Sequence, residues 1–136
     1  MELAEKVVNK MINGDAFSNW LGIKVVNVSK GYCKLTMTIR EDMTNGFRIA
    51  HGGIAYSLAD SALAFAANSD GRQSLSINTS ISHTKKVMIG DTLTAETQEI
   101  RKDDKNATYQ IKITNQNKIE IAHFKGEVYR TKKKWF

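Results

Sequence analysis

The segment NGFRIAHGGIAYSLADSALAFAANS, Asn45 to Ser69, concentrates the residues whose types and spacing could do chemistry. Asp60 is the single carboxylate in a run that is apolar on nearly every side. An ionised carboxylate in such a place must be paired, hydrogen-bonded or partly wet, or its pKa rises. A carboxylate whose pKa has moved toward working pH is suited to act as a general base. His51, Gly52 and Gly53 stand where the apolar run begins. The first N–H groups of a helix lack internal partners, and the positive end of the helix dipole lies there. With no side chain in the way, a ligand oxygen can approach the Gly53 N–H, and a preset donor of this kind stabilises a developing oxyanion by roughly 3–4 kcal/mol. His51 is placed to orient the loop or add a second donor, and Asn45, in the turn TNGF, to position a water or a substrate. Each residue alone has an ordinary reading. An isolated acid is commonly solvent-facing or structurally paired, a histidine is commonly a satisfied structural group, and two glycines can simply precede a helix. The constellation, and no single member, points to a site.

Spacing sharpens the inference. Gly53 and Asp60 are seven residues apart, two helical turns, and so share a face. They are also ~10 Å apart along the axis at the helical rise per residue. Both therefore cannot act directly on one acyl carbon. If both serve one reaction, the Asp60 that completes a site comes from a neighbouring chain across a twofold, which predicts at least a homodimer with two active sites in its interface.

The elements that must hold these residues follow from periodicity. Residues 2–13 put Leu3, Val7 and Met11 on one helical face, and Asn13-Gly14 stops the helix. DAFSNWLG adds a short helical turn before the strand-like IKVVNVSKG. Cys33, Leu35, Met37 and Ile39 alternate with polar residues, as in a strand with one buried face. After the central helix, Leu75, Ile77, Thr79 and Ile81 alternate with Ser74, Ser76, Asn78 and Ser80. Further strands are expected over Thr92–Arg101, around Tyr109, Ile111 and Ile113, and over Ile119–Tyr129, joined by the polar turns RKDDKNA and NQNK. The apolar phase shifts between Ile121 and Ala122, which calls for a bulge or burial on both faces. Short connections favour antiparallel neighbours. The expected fold class is α+β, a long central helix wrapped by a curved antiparallel sheet of about five or six strands. A helix apolar all round over residues 54–67 needs a sheet curled around it, a second subunit on its far side, or both.

At 136 residues, with 41% apolar and 25% charged composition, the chain has the material for one domain spanning residues 1–136. No apolar stretch matches a membrane span, and MELAEKVVNKM lacks the continuous apolar block of a signal peptide. The single cysteine, Cys33, excludes an internal disulfide and a multi-cysteine metal site, and a cytoplasmic location is expected. The net charge of +6, partly in the C-terminal RTKKKWF, suits a polyanionic ligand, an anionic surface or a merely solvated end. Nucleic acid is disfavoured, since neither a reading helix nor an aromatic strand platform is recognisable.

Taken with the following GDTLTAET, the segment resembles the hotdog-fold acyl-CoA thioesterases, and within them the PaaI-like phenylacetate-pathway type. The likeness spans most of the chain, and its most specific element is Asn, five residues, His-Gly-Gly, then Asp within LAD. It implies a helix wrapped by an antiparallel sheet, edge-to-edge dimers often paired into tetramers, and no cofactor, with coenzyme A entering as part of the substrate. It further implies that Asp60 is base or nucleophile toward the thioester, that Gly53 forms the oxyanion hole, and that Asn45 and His51 orient substrate or water. Related enzymes use a serine on the next strand, which Ser76 matches once a short gap is allowed. Where many relatives carry a proline-containing pair before GD, this chain has Lys85-Lys86. Those lysines, with Arg48, suit the phosphates of coenzyme A as point charges, or are solvated strand-end residues. The expected reaction is hydrolysis of an acyl-CoA thioester, with aryl-acyl and short- to medium-chain groups as candidates. The alternatives are a non-hydrolytic acyl-CoA binding module and a hydratase or dehydratase on the same fold. Phe47, Tyr56, Phe65 and Trp20 are candidates for the acyl pocket, and core packing explains each equally well.

Overall fold

The computed structural model describes residues 1–136. Helix α1 (Leu3–Asn13) buries Ala4, Val7 and Val8 and stops at Gly14. Helix α2 (Ala16–Leu21) starts at Asp15, whose carboxylate accepts the Ser18 N–H at 2.9 Å, and ends at Gly22, which has φ 75°. That left-handed turn is one that glycine makes without a steric cost. Strands β1 (Lys24–Ser29) and β2 (Tyr32–Thr38) follow, then a short 3-10 turn, helix α3 (Gly52–Asn68), and strands β3 (Arg72–His83), β4 (Thr92–Lys102), β5 (Asn106–Thr114) and β6 (Glu120–Lys134). The six strands form one antiparallel sheet in the order β1-β2-β4-β5-β6-β3.

Helix α3 lies in the concave face of this sheet. Leu58, Leu63 and Phe65 are fully buried, and each such side chain removed from water is worth about 1.5–3 kcal/mol. Facing them are Cys33, Leu35 and Met37 of β2, Ile111 and Ile113 of β5, and Phe124 and Val128 of β6. Alanines at 55, 59, 62, 66 and 67 let strands come close to the helix axis. Gly126 is the extreme case: a Cβ there would stand 2.5 Å from Leu63 Cδ2. One stripe of α3 is left half-buried, running through Gly53, Tyr56, Ser57, Asp60, Ser61 and Ala64. The chain's own sheet does not cover this stripe, and it contains both residues whose spacing placed them on one face.

Two strands depart from the periodic pattern. In β3 the register against β6 shifts between Ser76 and Asn78, so Ile77 is a bulged residue. An extra residue flips the side-chain phase. Thr79 and Ile81 are half-buried, whereas Leu75 and Ile77 are 66% and 56% exposed, on a strand at the edge of the sheet. Strand β6 runs five residues beyond the expected Tyr129 and also carries the irregularity expected at Ile121-Ala122. Ile113 pairs with Ala122 and Thr114 with Glu120, and both Ile121 and Ala122 are buried. The extension includes buried Arg130, whose Nη2 lies 2.6 Å from Asp70 Oδ2. Lys102 Nζ sits 2.8 Å from the same oxygen. No helix of the fold is long and apolar enough to cross a membrane.

Candidate active site

The loop before α3 is built by Asn45. Its Oδ1 accepts the Phe47 N–H at 2.9 Å, its backbone N–H donates to Ile49 O, and its carbonyl accepts from Arg48 N. This closes a tight turn whose cost falls on Arg48, a non-glycine residue at φ 59°. With Oδ1 occupied in the turn, the Asn45 amide N–H2 group is left for other partners.

His51 is the N-cap of α3, and its Nδ1 accepts the Gly53 N–H at 2.9 Å. The accepting nitrogen must be unprotonated, which puts the proton of the neutral ring on Nε2. The Gly53 donor is therefore engaged by its own loop. Gly52 presents the first N–H of the helix, which has no acceptor within the protein. Beside it stands His83, at the end of β3, close enough that a Cβ on Gly52 would lie 3.6 Å from His83 Nε2. Asn45, His51, Gly52, His83, Lys85 and Lys86 line one cavity of about 370 Å³, with apolar walls from Ile49, Ala55, Val87 and Leu93. Arg48 is exposed on the turn next to Asn45 and lies outside that lining.

Asp60 lies elsewhere. It lines a second cavity, of about 320 Å³, together with Ser76 and Leu75 of β3. Its carboxylate has neither an ion pair nor a hydrogen-bond partner in the protein, and burial raises its pKa above the ordinary carboxylate value. Within one chain the structure thus brings Asn45, His51, Lys85 and Lys86 together on one side. It brings Asp60 and Ser76 together on the other. Opposite stretches of the same edge strand flank the two groups, Ser76 near its start and His83 at its end.

A domain model described as the thioesterase superfamily matches residues 47–122, which include every residue of both groups except Asn45. The chain belongs to the thioesterase superfamily. Thioester hydrolysis is the activity that this family carries. A putative esterase of Archaeoglobus fulgidus is 36% identical over 129 residues, 95% of this chain and 84% of that one. The acyl-coenzyme A thioesterase PaaI of Escherichia coli is 36% identical over 120 residues, 88% of this chain and 86% of that one. The solved structure of that PaaI protein superposes with a TM-score of 0.94 at 34% identity, covering 96% of this chain and 95% of that one. A Streptococcus mutans protein solved with bound acetyl-CoA superposes with a TM-score of 0.79 at 25% identity, covering 82% and 90% of the two chains. This thioesterase-superfamily chain thus has the hotdog architecture of PaaI-like enzymes.

Three site features were not read from the sequence. His83 continues a polar strand, and only the fold brings it against Gly52. The Gly52 N–H emerged as the unengaged donor because the capping geometry of His51 selects Gly53. None of the four aromatic candidates lines the Asp60 cavity: Phe65 is core, Tyr56 packs on Phe124, Trp20 stacks on Phe17, and Phe47 is exposed at the loop tip. The aromatic ring there is Trp135.

Proposed function

We propose that two copies of the chain pair along β3 and form two active sites that hydrolyse acyl-CoA thioesters. The observation that carries this reading is the division of the site in one chain: an unpaired, half-buried Asp60 in one cavity and a helix terminus with a free N–H in another. An antiparallel pairing about a twofold near Thr79 and Ser80 would set the Ser76 end of one strand against the His83 end of the other. It would also cover the exposed Leu75 and Ile77, which an unprotected edge strand presents as a template for another chain. Pairing of such dimers into tetramers, as in the resemblance drawn above, belongs to the same reading.

In each site the acyl carbonyl oxygen points at the start of one copy's α3, and Asp60 comes from the other copy. Asp60 takes a proton from water as the water oxygen bonds to the carbonyl carbon, or attacks that carbon itself to give an anhydride that water then opens. The oxyanion is held by the Gly53 N–H, released when the His51 ring turns, with the Gly52 N–H beside it. The C–S bond then breaks, and the coenzyme A thiolate leaves and takes up a proton. Asn45 orients substrate or water through its amide N–H2 group, and the Ser76 hydroxyl stands on the Asp60 side. Lys85 and Lys86 at the cavity, with Arg48 on the neighbouring turn, offer positive charge to the phosphates of coenzyme A. The reaction as proposed uses no metal or redox group, and we place it in the cytoplasm.

Release of free thiol from a panel of acyl-CoAs, followed with a thiol reagent, tests this reading. Hydrolysis of at least one member, lost in Asp60→Asn, is the expected result. Coenzyme A binding with no thiol release from any member would replace the enzyme with a binding module. Hydration of an enoyl-CoA without thiol release would point to a hydratase.

A further inference from the structure

The cavity that contains Asp60 runs beside α3, and Trp135 of the C-terminal tail lines it as well. Asp60, Ala64 and Asn68 succeed one another at four-residue intervals, so they line up along the helix. Asn68 lies ~12 Å from Asp60 along the axis. Asn68 is buried and fully engaged: its Nδ2 donates to Ala64 O at 2.8 Å and to Ser74 O at 3.1 Å, and its Oδ1 accepts the Ser74 N–H at 2.8 Å. The same Oδ1 accepts the indole N–H of Trp135 at 2.9 Å. The backbone of Trp135 is held as well. Its N–H donates to Gly71 O at 2.9 Å, and its carbonyl accepts from Lys10 Nζ at 3.4 Å. The ring is thus fixed from α1, from the end of α3 and from the turn into β3.

Resting on the proposed role of Asp60, we infer that Trp135 closes the acyl pocket and sets the length of acyl group the enzyme accepts. A thioester carbonyl beside Asp60 can send its acyl chain past Leu63, Ala64 and Leu75, the apolar residues that line this cavity together with Trp135. The indole stands across that path. An aryl or medium-length acyl group fits a cavity of about 320 Å³, and a longer chain meets the ring. Trp135 is a specificity-determining residue; it takes no part in the bond changes.

The test is the ratio of kcat/KM for dodecanoyl-CoA to that for butanoyl-CoA, measured on the full chain. In Trp135→Ala the ratio rises by at least ~10-fold, the scale on which an apolar pocket discriminates by size. Ala64→Leu, which keeps the tail and narrows the cavity, lowers the ratio of octanoyl-CoA to butanoyl-CoA by a similar factor. The second variant decides the question if loss of the indole unfolds the tail. Unchanged length profiles in the folded variants, with hydrolysis still dependent on Asp60, overturn this inference and leave the proposed function standing. Absence of hydrolysis of every acyl-CoA by the unmodified chain overturns both.

Discussion

Replacing Asp60 by Asn removes a charge and little else, since the two side chains have nearly the same shape and similar helix propensity. The carboxylate has no hydrogen-bond or ion-pair partner to lose, and burial disfavours its charged form. Two effects of opposite sign follow. Turnover of the best acyl-CoA falls by roughly 10²–10⁴-fold, the contribution of a positioned base. That corresponds to roughly 3–5 kcal/mol of transition-state stabilisation. Stability at neutral pH rises, because the folded chain no longer holds an unpaired carboxylate out of water. The sign of the pH dependence is fixed by the raised pKa. The folded state binds the Asp60 proton more tightly than the unfolded state does, so the cost of this residue is absent below the ordinary carboxylate pKa. It grows as pH rises through the raised folded value. Urea titrations of both proteins across that range should therefore converge at low pH and separate at neutral pH, with the variant the more stable. Wild-type kcat/KM should rise with pH through the same window. A variant that keeps near-normal turnover, or one less stable than wild type at neutral pH, would refute the reasoning.

Ile77→Lys places a charge on the exposed bulge of β3 and should leave the chain folded but monomeric by sedimentation, with activity down to the level of the Asp60→Asn variant. Arg48→Gly relieves a left-handed residue and should raise stability by about 1 kcal/mol in urea. It should also raise KM for acyl-CoA but not for a truncated N-acetylcysteamine thioester; equal KM changes for both would remove Arg48 from phosphate binding. For Asp70, burial alone would raise the pKa, but Lys102, the Arg72 N–H and Arg130 together hold it below the ordinary value. The stability it contributes is complete above the unfolded carboxylate pKa and is lost as pH falls through the lower folded one. Asp70→Asn should cost ~3 kcal/mol at neutral pH, with a shallower acid-unfolding curve than wild type.

The parts of the fold that bury one face per element were legible in the sequence. Cys33, Leu35 and Met37 of β2, and Tyr109, Ile111 and Ile113 of β5, alternate because one side meets α3. The same pattern misled in β3. The bulge at Ile77 changes the phase without leaving a compositional mark, and Leu75 is apolar for a surface that a single chain does not cover. The expected end of β6 at Tyr129 falls five residues short, because the strand continues through Arg130, a charged residue buried through partners 27 and 60 positions away, which no local window contains. The site followed the same division. Asn45, His51, Gly53 and Asp60 stand out because their types are costly or specific where they occur. His83, Gly52 and Trp135 acquire their places only from the contacts of the folded chain.

The sheet order has a consequence for how the chain is made. Strand β6 follows every other strand in sequence, yet it lies between β5 and β3. Until it emerges from the ribosome, β3 has no neighbour at all, and β5 is bonded on one side only. A nascent chain therefore exposes the groove that Phe124 and Val128 will fill. Completion must wait for pairings such as Leu75 with Tyr129, 54 residues apart, which puts the fold among slow, non-local sheet proteins. Stalled or prematurely terminated chains lacking β6 should be captured by chaperones or aggregate, while the finished chain closes its sheet in one late insertion.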